Sequence, residues 1–117
     1  MIFYTADLHL GHERVIEYSG RPFGNAAEML ECIIQNWNYV VSSDDDIYII
    51  GDMFFKLRSD QQLGILRRLN GRKHFIVANH DREFNEDVRQ EFASINHYIK
   101  ITDDGRSVVL SHYPLLE

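Results

Sequence analysis

Four stretches of this sequence place side chains that can hold a metal ion or move a proton directly after a short apolar run. Residues 2–6 lead into Asp7-Leu8-His9, residues 47–50 into Gly51-Asp52, residues 75–78 into Asn79-His80-Asp81, and residues 108–110 into Ser111-His112. Each run has three to five residues and is rich in β-branched or aromatic types, the composition of a strand. Taken singly, an Asp or His after a strand usually does no more than bond loop N–H groups. Four such groups at the same end of four strands are harder to explain that way, because ligands of an open α/β sheet gather beyond the carboxyl ends of its strands.

Carboxylate, imidazole and amide oxygen without a thiolate form a hard-to-borderline donor set. It suits Mn, Fe or Zn better than an all-oxygen calcium site or a thiolate-rich structural zinc site. Asp7 and His9 are two residues apart, so both reach one ion if the chain turns as it leaves the strand. A single carboxylate such as Asp52 can bridge two ions. Two ions about 3.5–4 Å apart can clamp both the attacking and the leaving oxygen of an in-line phosphoryl displacement.

In order and spacing, Asp7-x-His9, Gly51-Asp52, Asn79-His80-Asp81 and Ser111-His112 are similar to the motifs of calcineurin-like metallophosphoesterases, over essentially the whole chain. Asp7-Leu8-His9-Leu10-Gly11-His12, Arg21-Pro22-Phe23 and Leu110-Ser111-His112-Tyr113-Pro114 resemble the small stand-alone bacterial and phage members in particular. An Asp-x-His alone is common, whereas the ordered set of four motifs is specific. The resemblance implies an αββα sandwich, two divalent metal ions (Mn, Fe or Zn), and hydrolysis of a phosphate mono- or diester by a metal-bridging hydroxide. It implies Asp7 and His9 on the first metal, Asp52 on both, and Asn79 and His112 on the second. His80 would sit over the substrate phosphate as proton donor or charge stabiliser, oriented by Asp81. His12 and Arg14 follow the first motif and read either as phosphate contacts or as a helix-start residue and a surface arginine.

Two departures from the family pattern bear on this expectation. Ala78 stands where the family usually has Gly before Asn79-His80, and the chain ends soon after Tyr113-Pro114, before a Gly-His-x-His segment that in the family gives one histidine to each metal. His74 and His97 read as ordinary surface histidines and do not replace it. Each ion then keeps three protein ligands, a workable coordination for zinc with water. The sandwich would lack its C-terminal strands, leaving an open sheet edge through which copies of the chain could pair into a homo-oligomer. The chain is accordingly expected to be a hydrolase, as part of a longer enzyme or as a short self-associating variant; the alternative is a weakly active or non-catalytic binding module.

To deliver four motifs to one rim, strands must alternate with helices in a single α/β domain spanning residues 1–117. Asn25 with Glu28 predicts a capped helix carrying Met29, Ile33, Trp37 and Val40 on one stripe. Ser59 with Gln62 predicts a capping box before Leu63, Leu66 and Leu69, stopped by Asn70-Gly71. Residues 86–92 read as a shorter helix. A weaker strand over 97–101 leads through Asp103-Asp104-Gly105 into residues 106–110, a hairpin pattern. Cys32 falls in a helical run and reads as a buried apolar side chain, and Asp44-Asp45-Asp46 as a solvated turn.

Bulk properties set the outer bounds. A chain of 117 residues has one core, and 44% hydrophobic with 12% aromatic residues is the composition of a packed globule. A net charge of −6 argues against long nucleic acid as partner and leaves a small phosphate ester as the expected substrate. One cysteine excludes an internal disulfide framework. The start of the chain has no basic flank or long apolar run, and no stretch approaches the ~20 apolar residues of a membrane helix, so the expected setting is cytoplasmic and off the membrane.

Overall fold

A computed structural model describes residues 1–6, 8–11, 24–77 and 84–111. Four strands, β1 (Ile2–Ala6), β2 (Asp46–Ile50), β3 (Arg72–Ile76) and β4 (Ser94–Asn96), pair in parallel in that spatial order. Between them run α1 (Ala26–Val40), α2 (Ser59–Arg68) and α3 (Glu86–Gln90). β5 (Tyr98–Asp103) and β6 (Arg106–Ser111) form a separate antiparallel ribbon.

Register explains why the strands read as nearly continuous apolar runs. Tyr4, Tyr48, His74 and Ser94 are aligned across the sheet, and side chains alternate between its faces. Phe3, Ile47, Ile49 and Phe75 meet Ile34 and Trp37 of α1, Ile65 and Leu66 of α2 and Val88 of α3 on one face. Ile2, Tyr48, Ile50 and Ile76 meet Ile99, Ile101, Val108 and Leu110 of the ribbon on the other. β1, β2 and β3 therefore contribute apolar side chains to both faces, as in α/β proteins. Phe75 is fully buried among Phe84 and Phe92, with ring centroids 5.1 and 5.5 Å away, so its truncation to Ala should cost about 3–5 kcal/mol.

Several local expectations need correction. Asn25 does cap α1, its Oδ1 accepting from the Glu28 N–H at 2.8 Å. The buried stripe, however, is Ala26, Met29, Ile34 and Trp37; Ile33 lies at its edge, and Val40 is 58% exposed while Val41 enters the core. The α2 cap falls on Arg58, whose N–H is accepted by Gln61 Oε1 at 2.9 Å; Ser59 is already helical, and Gln62 donates to the Leu57 carbonyl instead. On α2 the buried residues are Ile65 and Leu66, and Leu63 packs against the core. α3 stops at Gln90, freeing Phe92 to turn inward. β3 begins three residues earlier than the apolar run 75–78 suggests, and β4 adds a strand with no expectation behind it. Cys32 is half-buried beside Asn36 Nδ2 at 3.6 Å, not in the core. The hairpin forms over β5 and β6, with Asp104 and Gly105 both at positive φ as a tight Asp-Gly turn demands.

Candidate active site

At the carboxyl ends of β1 and β2 the chain makes matched reversals. His9 has φ 51° and Asp52 φ 49°, left-handed values that cost a non-glycine residue on the order of 1 kcal/mol. The two residues are joined directly: the His9 N–H donates to the Asp52 carbonyl at 2.9 Å. The Leu10 N–H donates to Met53 O at 2.8 Å, and the Phe55 N–H to Leu10 O at 2.9 Å, so the loops zip together beyond the sheet proper. Leu10 and Met53 are fully buried beneath this zip and anchor it to the helix-side core.

Glycine makes the approach feasible at two points. Gly51 has φ 68°, and its N–H donates to Ile76 O at 2.8 Å, tying the end of β2 to the end of β3. Gly11 has φ 92°, and a Cβ there would lie 2.8 Å from Leu57 Cδ2 and 2.9 Å from Phe55 O. The described residues on either side of the third motif, Val77 and Phe84, are each anchored. Val77 donates from its N–H to Asn96 O at 2.9 Å, and Phe84 packs edge-on against Phe54, 6.2 Å between centroids, two residues from Asp52. β6 ends at Ser111, immediately before the fourth motif's histidine, and Leu110 is buried with Tyr48 and Ile76.

Of the residues singled out from sequence, His9 and Asp52 are therefore brought together on adjoining strand ends, both half-buried. Asp7, His12, Arg14, Asn79, His80, Asp81 and His112, and with them Ala78, lie outside the described residues. Among the described residues no three His, Cys, Asp or Glu side chains are grouped as a metal site.

The opposite end of the sheet carries polar chemistry that the sequence pattern did not flag. His74 lies mid-strand, stacked on Tyr48 at 4.5 Å, with Nδ1 2.7 Å from Ser94 Oγ and Nε2 2.9 Å from Asp46 Oδ1. Arg72 forks onto both Asp46 oxygens at 2.9 Å, which, with His74, holds the Asp46 carboxyl down at about 2 against the opposing pull of burial. Asp45 is likewise lowered to about 2, first by the Ser42 N–H and then by the Met1 ammonium. Thus Asp44-Asp45-Asp46 is a wired strand entry, not merely a solvated turn. Tyr4 donates its hydroxyl to Asp103 at 2.6 Å, linking sheet to ribbon, and that bond raises Tyr4 to about 12. Lys73 is buried, donating Nζ to the carbonyls of Leu69 and Gly71, and burial lowers its pKa.

No protein-family model matches the chain. It is 39% identical over 89 residues to an uncharacterized protein of Methanocaldococcus jannaschii, an alignment covering 75% of this chain and 50% of that protein. It is 34% identical over 85 residues to the gene 66 protein of Mycobacterium phage L5, covering 68% of this chain and 39% of the relative. Among solved structures it is similar to a protein of unknown function from Aquifex aeolicus, with TM-score 0.78 and 29% identity, over 97% of this chain and 61% of that one. The chain thus spans about half the length of the curated relatives it matches. No described helix is long and apolar enough to cross a membrane.

Proposed function

We propose that this chain carries the greater part of a binuclear metallophosphoesterase centre that hydrolyses phosphate mono- or diesters. The observation that carries the reading is the His9–Asp52 junction: an imidazole-bearing and a carboxylate-bearing residue, both in left-handed backbone, hydrogen-bonded to each other at neighbouring strand ends. Non-glycine residues held in such conformations cluster at sites where the strain serves function. The layering of helices, parallel sheet and antiparallel ribbon supports placing the domain with the αββα sandwiches of the calcineurin-like kind. The donor types fit divalent Mn, Fe or Zn, since the residues assigned as ligands offer imidazole, carboxylate and amide oxygen and no thiolate.

On this reading Asp7 and His9 hold one cation, Asp52 both, and Asn79 and His112 the other. When bound, the two cations would supply Lewis acidity toward the phosphoryl group and toward water. Asp52 answers the doubled positive charge with its carboxylate, and the fixed Leu10–Met53 zip keeps His9 and Asp52 in register without reorganisation. His80 stabilises charge or gives a proton at the leaving oxygen, and Asp81 orients its ring.

The test is hydrolysis of bis(4-nitrophenyl) phosphate by the chain supplied with Mn²⁺, Fe²⁺ or Zn²⁺. His80→Ala should keep its metal and lose on the order of 10²–10⁴ in rate, whereas His112→Ala should lose metal first. Hydrolysis that persists in a chelator, or is indifferent to His80→Ala, would contradict the proposal.

A further inference from the structure

β4 was not foreseen in the sequence, and it changes where His97 lies. Its last residue, Asn96, is in register with Ile76 of β3, which is in turn in register with Ile50 of β2. The residues that follow these three are His97, Val77 and Gly51. Gly51 leads directly to Asp52, and Val77 stands two residues before Asn79. His97 reads from sequence as a surface histidine opening a weak strand. In the fold it closes a parallel strand, at the carboxyl rim where ligands of an open sheet gather.

Main-chain contacts hold both of its neighbours. On one side, Asn96 O accepts the Val77 N–H at 2.9 Å. On the other, Tyr98 pairs with Ser111, the residue immediately before His112. His97 thus lies between the two strand ends that lead to Asn79 and to His112, the residues assigned above to the second cation. It is exposed, and among the described residues no partner engages its imidazole. His74 makes the contrast: at the opposite end of the sheet both its ring nitrogens are taken, by Ser94 and Asp46.

We infer that His97 is a further ligand of the second cation, beside Asp52, Asn79 and His112. This rests on the phosphoesterase reading above and adds a residue to its site. Neighbouring strands lie about 4.7–4.9 Å apart, so a single strand spacing separates His97 from the end of β3. Imidazole suits the same borderline ions as the donors already assigned, and four protein donors are within the ordinary coordination of zinc. With the backbone held on both sides, little freedom beyond that of the ring is lost when it turns onto an ion.

The experiment follows the histidine imidazole resonances of the full chain by NMR as Zn²⁺ is added, each assigned through its bonds to the backbone. The His97 and His112 signals should shift over the same range of added Zn²⁺, since the two would hold one ion, while the His74 signal stays in place. Calorimetry should show affinity for that ion falling at least about tenfold in His97→Gln, the least that losing even an outer-shell partner costs. Circular dichroism should show the variant folded, since the side chain is exposed. A His97 signal that stays still while His9 and His112 move, or that moves only after they are complete, overturns the ligand and leaves the phosphoesterase reading standing. An affinity unchanged in His97→Gln does the same. No movement of His9, His97 or His112 overturns both.

Discussion

The two ends of the parallel sheet solve opposite problems with similar residues. At the amino-terminal end, Asp46, Arg72, His74 and Ser94 satisfy one another across three adjacent strands, and Asp45 closes the turn before β2. At the carboxyl-terminal end, His9, Asp52 and Lys56 sit in left-handed backbone, held by main-chain bonds and by the buried Leu10 and Met53. A carboxylate at the first end is spent on holding strands in register. At the second, the backbone is strained where His9 and Asp52 meet through their main chains. The difference teaches that polar residues in this fold sort by which end of a strand they occupy more than by type, and substitutions at the two ends should divide between stability and activity.

The largest contrast is between Asp52→Asn and Asp46→Asn. Phosphodiester hydrolysis should fall to background in the first with the melting temperature retained, and should persist in the second. Equal losses of activity in the two variants would erase the distinction between the ends. Next in size, Asp46→Asn should lower stability by on the order of 2 kcal/mol in urea unfolding near neutral pH, the worth of a carboxyl held at about 2 against an ordinary 3.8.

The same linkage has a sign. Asp46 is depressed in the folded chain, so its contribution is complete above 3.8 and fades as pH falls toward about 2. Wild type should therefore lose stability faster than Asp46→Asn across that interval, and parallel curves would count against the Arg72–Asp46 fork. The smallest effect expected is at the strained rim: His9→Gly should raise stability by about 1 kcal/mol while impairing metal binding, because glycine accepts φ 51° without penalty. A destabilised His9→Gly would mean the side chain there contributes more packing than strain.

These contrasts also mark what could be read from sequence. β1, β2 and the hairpin were legible because their residues are continuous apolar runs or flank an Asp-Gly turn. The start of β3 was not, because Arg72, Lys73 and His74 look like a loop. Each is accommodated by a contact far along the chain or by a backbone carbonyl: Arg72 and His74 by Asp46, Lys73 by Leu69 and Gly71. β4 is three residues, Ser94-Ile95-Asn96, too short for any alternation to show, and it exists because β3 offers an edge. Val40 fitted the helical period by count, yet the helix ends there and the chain turns so that Val41 is the one buried. At the candidate site, the order of motifs located the loops of His9 and Asp52. Nothing in residue type announces that both adopt positive φ or that they bond to each other, because that geometry follows from the pairing of β1 with β2.

The most direct measurement is the metal content of purified wild type, Asp52→Asn and Asp81→Asn after equilibration with Mn²⁺ or Zn²⁺ and removal of free ion. If Asp52 is the shared ligand of a binuclear centre, Asp81→Asn should retain as much metal as wild type and Asp52→Asn should retain far less. Full occupancy in Asp52→Asn, or no retained metal in wild type, would contradict the account.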